Sequence, residues 1–280
     1  MAREIEQAPF VMYGNLVKWQ GGVAVSVFIA IALFESLFPA RAYLKRFRHI
    51  GKNGLFSIIN SAILAVFGAT INLWVFSMID ARQLGILNAL EPPFWLSAMI
   101  ASIAFDAWIY GWHRMNHQIP ALWRFHQVHH SDTKMDISTG FRFHPGEILI
   151  SSFVNIPVFI ALGISLELIV VYKIVFNIIV LFHHSNVNLP EAWDRIYRSI
   201  LVSPNMHRVH HSMRIRETNS NYSSLLTIWD RLFGTYRKND PKNIVFGLEY
   251  DRDADSQRIS RLLACPFRPN GSPSSRAESD

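Results

Sequence analysis

Eleven of the twelve histidines in this 280-residue chain lie between residues 113 and 211. They are also ordered. His113 and His117 stand four apart, His126, His129 and His130 form an H-x-x-H-H triplet, and His207, His210 and His211 repeat it. Between the triplets lie His144, inside Phe141-Arg142-Phe143-His144-Pro145, and the pair His183-His184. On a helix, positions i, i+3 and i+4 share a face, so imidazoles at these spacings can converge on one ion. Imidazole suits zinc, copper, iron and nickel and is a poor ligand for calcium or magnesium. Eight histidines in three tight motifs, with two or three more nearby, exceed the four ligands of a structural zinc and what any single ion can use. Two ions are the economical reading. Roughly five imidazoles for each favours a higher-coordinate metal such as iron over tetrahedral zinc. Zinc and manganese stay open on these grounds. His49 stands apart among basic loop residues and is given no role.

Ligating histidines normally donate their second N–H to a carboxylate or carbonyl. Asp106 lies seven residues before His113, on nearly the same helical face, and is expected to brace it. A carboxylate inside a membrane span costs roughly 2.5–3.5 kcal/mol on insertion scales, so it needs such a reason. The alternative is a pairing with a basic residue on another helix. Asp230, in Ile228-Trp229-Asp230-Arg231, could serve the second triplet, cap a helix or pair with Arg231.

The elements that must position these residues are apolar. Half the chain is hydrophobic and 17% is charged, below the roughly 25% of soluble domains. Long apolar runs cover 21–38, 55–79 and 93–112, each near the ~20 helical residues that cross a bilayer. A fourth, 148–182, is long enough for two passes and breaks at Leu162-Gly163-Ile164-Ser165, which predicts a helical hairpin. Its weak points are Pro157 and Lys173. The expected fold is therefore all-α: an integral membrane helical bundle of three spans plus a hairpin, with a cytoplasmic histidine-rich metal-binding cap. In domain terms, 1–18 is an N-terminal segment, 19–112 holds the first three spans, and 113–265 is the histidine-motif region including the hairpin. The Pro-, Ser- and Arg-rich stretch 266–280 is expected to be disordered. Trp193, Ile196, Tyr197, Ile200 and Leu201 recur at helical spacing, which fits an amphipathic helix at the membrane interface or against the cap.

Charge sets the orientation. Arg41, Lys45, Arg46, Arg48 and Lys52 separate the first two spans, whereas Arg82 is the one basic residue between the second and third. By the positive-inside bias the 40–54 loop is cytoplasmic, and 113–147 and 183–280 then share that side. The net charge of +6 reads as this bias, since no clustered basic face or nucleic-acid-binding motif is present. One cysteine, Cys265, excludes an intramolecular disulfide and fits a reducing compartment. No cleavable signal is expected from Met1-Ala2-Arg3-Glu4.

The ordered blocks H-R-x-x-H (His113 to His117), H-Q-V-H-H (His126 to His130) and R-F-H-P-G-E (Arg142 to Glu147) resemble the fatty acid hydroxylase and sterol desaturase superfamily. H-S-N-V-N-L-P from His184, S-P-N-M-H-R-V-H-H-S from Ser203 and W-D-R-L-F-G-T-Y from Trp229 extend the likeness across residues 95–240. The resemblance implies a non-haem di-iron centre, two iron ions with O2 as co-substrate. Its ligands would be His113, His117, His126, His129, His130, His184, His207, His210 and His211, with His144 added, and Asp106 matches an acidic position of the family. It implies O2-dependent hydroxylation of a lipid in the bilayer (an acyl chain, sterol, ether lipid or headgroup), with desaturation on the same site as the alternative. Electrons would come from a separate ferredoxin- or cytochrome b5-type protein with its reductase, and the setting would be a bacterial inner membrane. A zinc-dependent membrane hydrolase or a metal transporter is the rival class. A transporter needs ligands spread through the depth of the spans, and a hydrolase needs fewer ligands beside a general-base carboxylate. A reporter fused after Asp280 is expected to read cytoplasmic and one inserted near Leu87 to read outside. Opposite placement of 113–147 and 183–280 would make a shared site impossible.

Overall fold

A computed structural model describes the backbone of residues 2–268 and the side chains from Lys18 onward, Ala69 apart. The described residues are helical, with three isolated β-bridges and no strand. Five helical stretches are long and apolar enough to cross a membrane, matching three spans plus a hairpin: 18–37, 46–68, 94–118, 145–162 and 166–184. The first belongs to α1 (Ala2–Leu37), which carries the expected N-terminal segment as one continuous helix. The second lies in a helix that extends beyond its apolar run at both ends. α2 (Arg46–Ile63) passes through a π turn at Leu64–Gly68 into α3 (Ala69–Arg82). A short α4 (Ile86–Leu90) leads to α5 (Phe94–Gln118), and α7 (Pro145–Leu162) and α8 (Leu166–His184) form the hairpin.

Two glycines permit the turns far from the histidines. Gly163 ends α7 at φ 70°, and Gly85 sits at φ 91°, conformations that a side chain disfavours. A Cβ on Gly85 would fall 2.1 Å from the Gly163 nitrogen, so the two loops pack backbone to backbone. Ser165 caps α8 by accepting from the Leu168 amide. Between these ends the bundle is closed by Phe76, Phe105, Phe159 and Tyr172, whose rings stand 5.0–5.4 Å apart in sequence of contact, within the preferred range for aromatic pairs.

At the other end the chain turns sharply. Ile119 is extended and Pro120 opens α6 (Pro120–His130) at its first position, where a missing N–H costs nothing. α6 thus folds back beside the end of α5. α9 (Glu191–Tyr197) carries the expected amphipathic pattern, with Trp193 and Ile196 outward and Tyr197 against the core. α10 (Pro204–His210), capped by Ser203, carries the second triplet, and α11 (Ile215–Thr218), α12 (Ile228–Leu232) and α13 (Ile259–Ala264) complete the cap. Cys265–Phe267 continues α13 as a 3-10 turn, and Leu262 and Cys265 pack on Phe56 and Val128 behind α6. Of the stretch expected to be disordered, Pro266 is buried in this turn, and residues 269–280 lie outside the described residues.

His49 also differs from expectation. Its Nδ1 lies 2.8 Å from Asp136 Oδ2 and its Nε2 2.8 Å from Asp132 Oδ1, both carboxylates buried. Two acid partners require a proton on each ring nitrogen, so His49 is a cation that ties α2 to the turn after the first triplet. Asp132 takes further hydrogen bonds from Asn53, Thr139 and the Lys134 amide. Sequence offered no sign of this because His49 lies more than 80 positions from both aspartates. His49→Ala would strand two buried charges, a loss of about 3–5 kcal/mol for a broken buried pair. The expected outcome is a marked fall in thermal midpoint in detergent. An unchanged midpoint would show that the three groups are not a buried ion network.

Candidate metal centre

Two long helices and two shorter ones deliver nine histidines to one place. α5 supplies His113 and His117, α6 His126, His129 and His130, α8 His184, and α10 with its C-cap His207, His210 and His211. They sort into two groups: His113, His117, His126, His130 and His210 in one, and His129, His184, His207 and His211 in the other. Ligand nitrogens within each group lie within 4.8 Å of one another. Each H-x-x-H-H motif is split between them. In the first triplet the i, i+4 pair His126 and His130 enters the five-membered group and His129 the other. In the second, His207 and His211 enter the four-membered group and His210 crosses over. Rings of the two groups touch, with His130 and His211 centroids 4.6 Å apart and His207 and His210 5.1 Å apart.

The protonation pattern follows from the partners. His113 Nδ1 donates to the Tyr222 carbonyl, His210 Nδ1 to the Ser220 carbonyl and His184 Nδ1 to the Val180 carbonyl, each at 2.7 Å. A carbonyl only accepts, so the proton sits on Nδ1 and the Nε2 of each neutral ring carries a lone pair. Burial, reinforced by neighbouring imidazoles, holds His129, His130, His207, His210 and His211 well below the usual imidazole range. The lone pairs then face each other: Nε2 of His113 lies 3.1 Å from Nε2 of His210, and Nε2 of His184 lies 3.0 Å from Nε2 of His207. Both ring nitrogens of His117 and of His130 are buried without a protein partner. Buried acceptors aimed at one another are costly on their own and are resolved by a shared cation. The residues present fit metal ions at both groups.

The surrounding groups orient the rings and exclude water. Glu147 Oε1 accepts from His126 Nδ1 at 2.7 Å. Phe143 stacks on His129 at 4.3 Å, and Trp123 and Tyr222 lie 5.0 and 5.1 Å from His117. Gly140 passes His184 so closely that a Cβ would stand 3.4 Å from its Nδ1.

Three expected participants stand elsewhere. His144 joins neither group: it is the N-cap of α7, its Nδ1 accepting from the Gly146 amide and its Nε2 3.0 Å from the Leu263 carbonyl. Asp106 does not reach His113; its Oδ2 accepts from the Leu226 amide and from Trp229 Nε1 at 2.7 Å. Asp230 touches no histidine. It accepts from the Tyr222 and Ser223 amides and from Thr235 Oγ1, and so holds the carbonyl that orients His113. His183 packs against His207 at 4.0 Å outside both groups. Glu147 was missed by sequence reasoning although it closes the R-F-H-P-G-E block; its only signal there is an acidic residue on the first turn of α7.

Residues 98–235 match the sequence pattern of the fatty acid hydroxylase family. Over 233 residues the chain is 29% identical to an ornithine lipid hydroxylase of Rhizobium tropici, covering 80% of this chain and 68% of the relative. It is 33% identical over 162 residues to the alkylglycerol monooxygenase of Homo sapiens, covering 57% of this chain and 34% of the relative. It is 26% identical over 145 residues to the cholesterol 25-hydroxylase of Rattus norvegicus, covering 50% of this chain and 46% of the relative. The chain thus spans about two thirds of the first relative and less than half of the other two. No solved structure matches it.

Glu147→Ala should leave the helices in place and weaken binding of a divalent ion at the five-histidine group by about 10–100-fold, the usual loss for an orienting carboxylate. Metal titration of the stripped protein measures this. Unchanged affinity would show that Glu147 does not set the His126 tautomer.

Proposed function

We propose that this chain, a member of the fatty acid hydroxylase family, inserts one oxygen atom of O2 into a membrane lipid at a pair of iron ions. The observation that carries the reading is the partition of nine imidazoles, eight of them buried, into groups of five and four that touch. The proposed ligands are His113, His117, His126, His130 and His210 for one ion and His129, His184, His207 and His211 for the other. Five imidazoles in the first group exceed the four ligands that a tetrahedral zinc would take, which favours a metal of higher coordination number such as iron. Both groups are histidine alone, the Glu147 carboxylate beside the first being engaged by His126 Nδ1, and both lie at one end of the spans rather than along a transport path. When bound, an iron pair supplies the reductive activation of O2 that cleaving an unactivated C–H bond demands.

The chain's own residues do the rest. Tyr222, Ser220, Val180 and Glu147 hold the Nδ1 protons and aim the Nε2 atoms. Trp123, Phe143 and Tyr222 keep water from the rings. α5 and α8 run from the histidines into the apolar bundle, which favours a substrate arriving from within the bilayer. The three relatives carry a lipid in their names, an ornithine lipid, an alkylglycerol and cholesterol, and lipid is the substrate class proposed here. Two electrons and two protons complete the reduction of the second oxygen atom to water, the electrons coming from a separate ferredoxin- or cytochrome b5-type protein. The proposed setting is a bacterial inner membrane with the histidines facing the cytoplasm.

Protein purified from iron-replete cells should hold about two iron atoms per chain, as a two-metal site requires; one tight zinc and no iron after reconstitution would sink the reading. Lipid extracts of cells with and without the gene should differ by one oxygen that carries label from labelled dioxygen, and His129→Ala or His210→Ala should remove that product from a protein still inserted in the membrane. A product lighter by two hydrogens, without added oxygen, would make the reaction a desaturation.

A further inference from the structure

Beyond the five spans, the cap has a second apolar surface. α9 with the turn that follows it, and α12, lie side by side: the Val202 amide donates to the Leu225 carbonyl and the Thr227 amide to the Ile200 carbonyl, both at 3.0 Å. Their inner residues Tyr197, Leu201, Leu225 and Leu226 join the same apolar cluster as Phe105, Tyr172 and Ile179 of the bundle. Their outer residues do the opposite. Trp193, Ile196, Ile200, Ile228, Leu232 and Phe233 are each more than half exposed, Trp193 at 67% and Leu232 at 66%. Six large apolar side chains on two adjacent helices form a patch that water does not tolerate without a reason.

The depth of this pair is fixed by its contacts to α5. Trp229 Nε1 and the Leu226 amide bond to Asp106, and Phe233 stacks on Tyr110 at 5.3 Å. At about 1.5 Å per residue, Tyr110 stands about 4–5 Å and Asp106 about 10 Å below His113, toward the middle of the span. The pair therefore hangs below the histidines: by the same rise the exposed Ile178 of α8 lies about 9 Å below His184, level with the pair, and the exposed Ile103 and Val175 continue the apolar surface about 13–15 Å down. Its polar residues sit on the rim, with Arg198 tied to Asp194 and Glu191, and Arg231 donating to the Arg198 carbonyl.

We propose that α9 and α12 form a lip embedded in the leaflet on the histidine side, with Trp193, Ile196, Ile200, Ile228, Leu232 and Phe233 in contact with lipid acyl chains. The occupant is bilayer lipid: the patch continues the lipid-facing surface of the spans, and its depth relative to α5 leaves no aqueous side for it. Backbone polar groups of such a non-spanning element must be satisfied within the protein, and the α9–α12 bridges and the Asp106 contacts do this.

The test uses the full chain with Cys265→Ala, reconstituted in phosphatidylethanolamine–phosphatidylglycerol nanodiscs, and a nitroxide at a single introduced cysteine. Ile196→Cys and Leu232→Cys probe the two helices, Val175→Cys is the lipid-facing reference and Arg214→Cys the aqueous one. Accessibility to dissolved oxygen and to a water-soluble nickel chelate is read at each. The expected result is that both lip labels behave as Val175 does, with oxygen colliding several times more often than the chelate. Chelate accessibility like that at Arg214 would overturn the proposal. So would immobilised labels that neither collider reaches, since that pattern means a protein partner or a second copy covers the patch. Two positions on separate helices guard against one substitution disturbing the fold.

Discussion

Buried imidazole lone pairs aimed at one another are the constraint on which the rest of this structure depends. Neutral rings packed at 3.0–3.2 Å between nitrogens are unfavourable unless something positive lies among them, and they must still be held in place while it does. The chain solves the second problem with main-chain carbonyls. Ser220 and Tyr222 lie on one short segment and fix His210 and His113, which come from different helices. That segment is itself fixed by Asp230, whose carboxylate takes the Tyr222 and Ser223 amides. The order of dependence runs from a carboxylate to a loop, from the loop to two ring protons, and from those protons to the free nitrogens.

The crossed triplets make the two groups inseparable. Because His129 and His130 are adjacent in sequence yet serve different groups, a rotation of α6 that improved one group would spoil the other. The same holds for His210 and His211 after α10. A site of this kind demands rigid placement, and the buried charges around it are arranged to provide it. His49 clasps Asp132 and Asp136 immediately after the first triplet, and Glu35, paired with Arg46, accepts from the Ile137 and Asn186 amides on the two sides of the histidines. A fully engaged polar network can define one packing where an apolar cap would allow several. Here it joins α1 and α2 to segments that the metal groups alone would leave untied.

What was legible in the sequence followed from local period and composition. Apolar runs marked all five spans, Gly163 and Ser165 marked the hairpin turn, and histidine spacing marked the cluster, because each signal lies within one or two helical turns. The division into five and four was not legible. It depends on how α6 and α10 face each other, and the identical spacing of the triplets conceals that they contribute in opposite ways. The roles of the carboxylates were misplaced for the same reason. Asp106 shares a helical face with His113, but seven residues are about 10 Å along the axis, too far for contact, and the nearest donors come from residues 226 and 229. Glu147 reaches His126 because Pro145 starts α7 beside α6, a tertiary fact. His144 looked like a ligand by type and neighbourhood, yet as the residue before Pro145 it is drawn into capping α7.

The uneven burial of the spans follows from the same division of labour. Only 6% of the first span is enclosed by protein, whereas 39% of α8 is. α8 is the span that must do two things at once, closing the apolar bundle with Tyr172 and Ile179 and delivering His184 to the four-histidine group. A helix free to tilt in lipid could not hold Nε2 of His184 within hydrogen-bonding distance of both His129 and His207. α8 is therefore gripped from several directions: by α1 along its length, by α5 in the core and by α10 at its end. α1 carries no histidine and, among its described residues, meets the histidine end through Glu35 and through Phe28 against Phe141, so most of that surface can be given to lipid. Enclosure thus tracks what each span must position, and the candidate span with the largest enclosed share is the one that connects the apolar bundle to the four-histidine group.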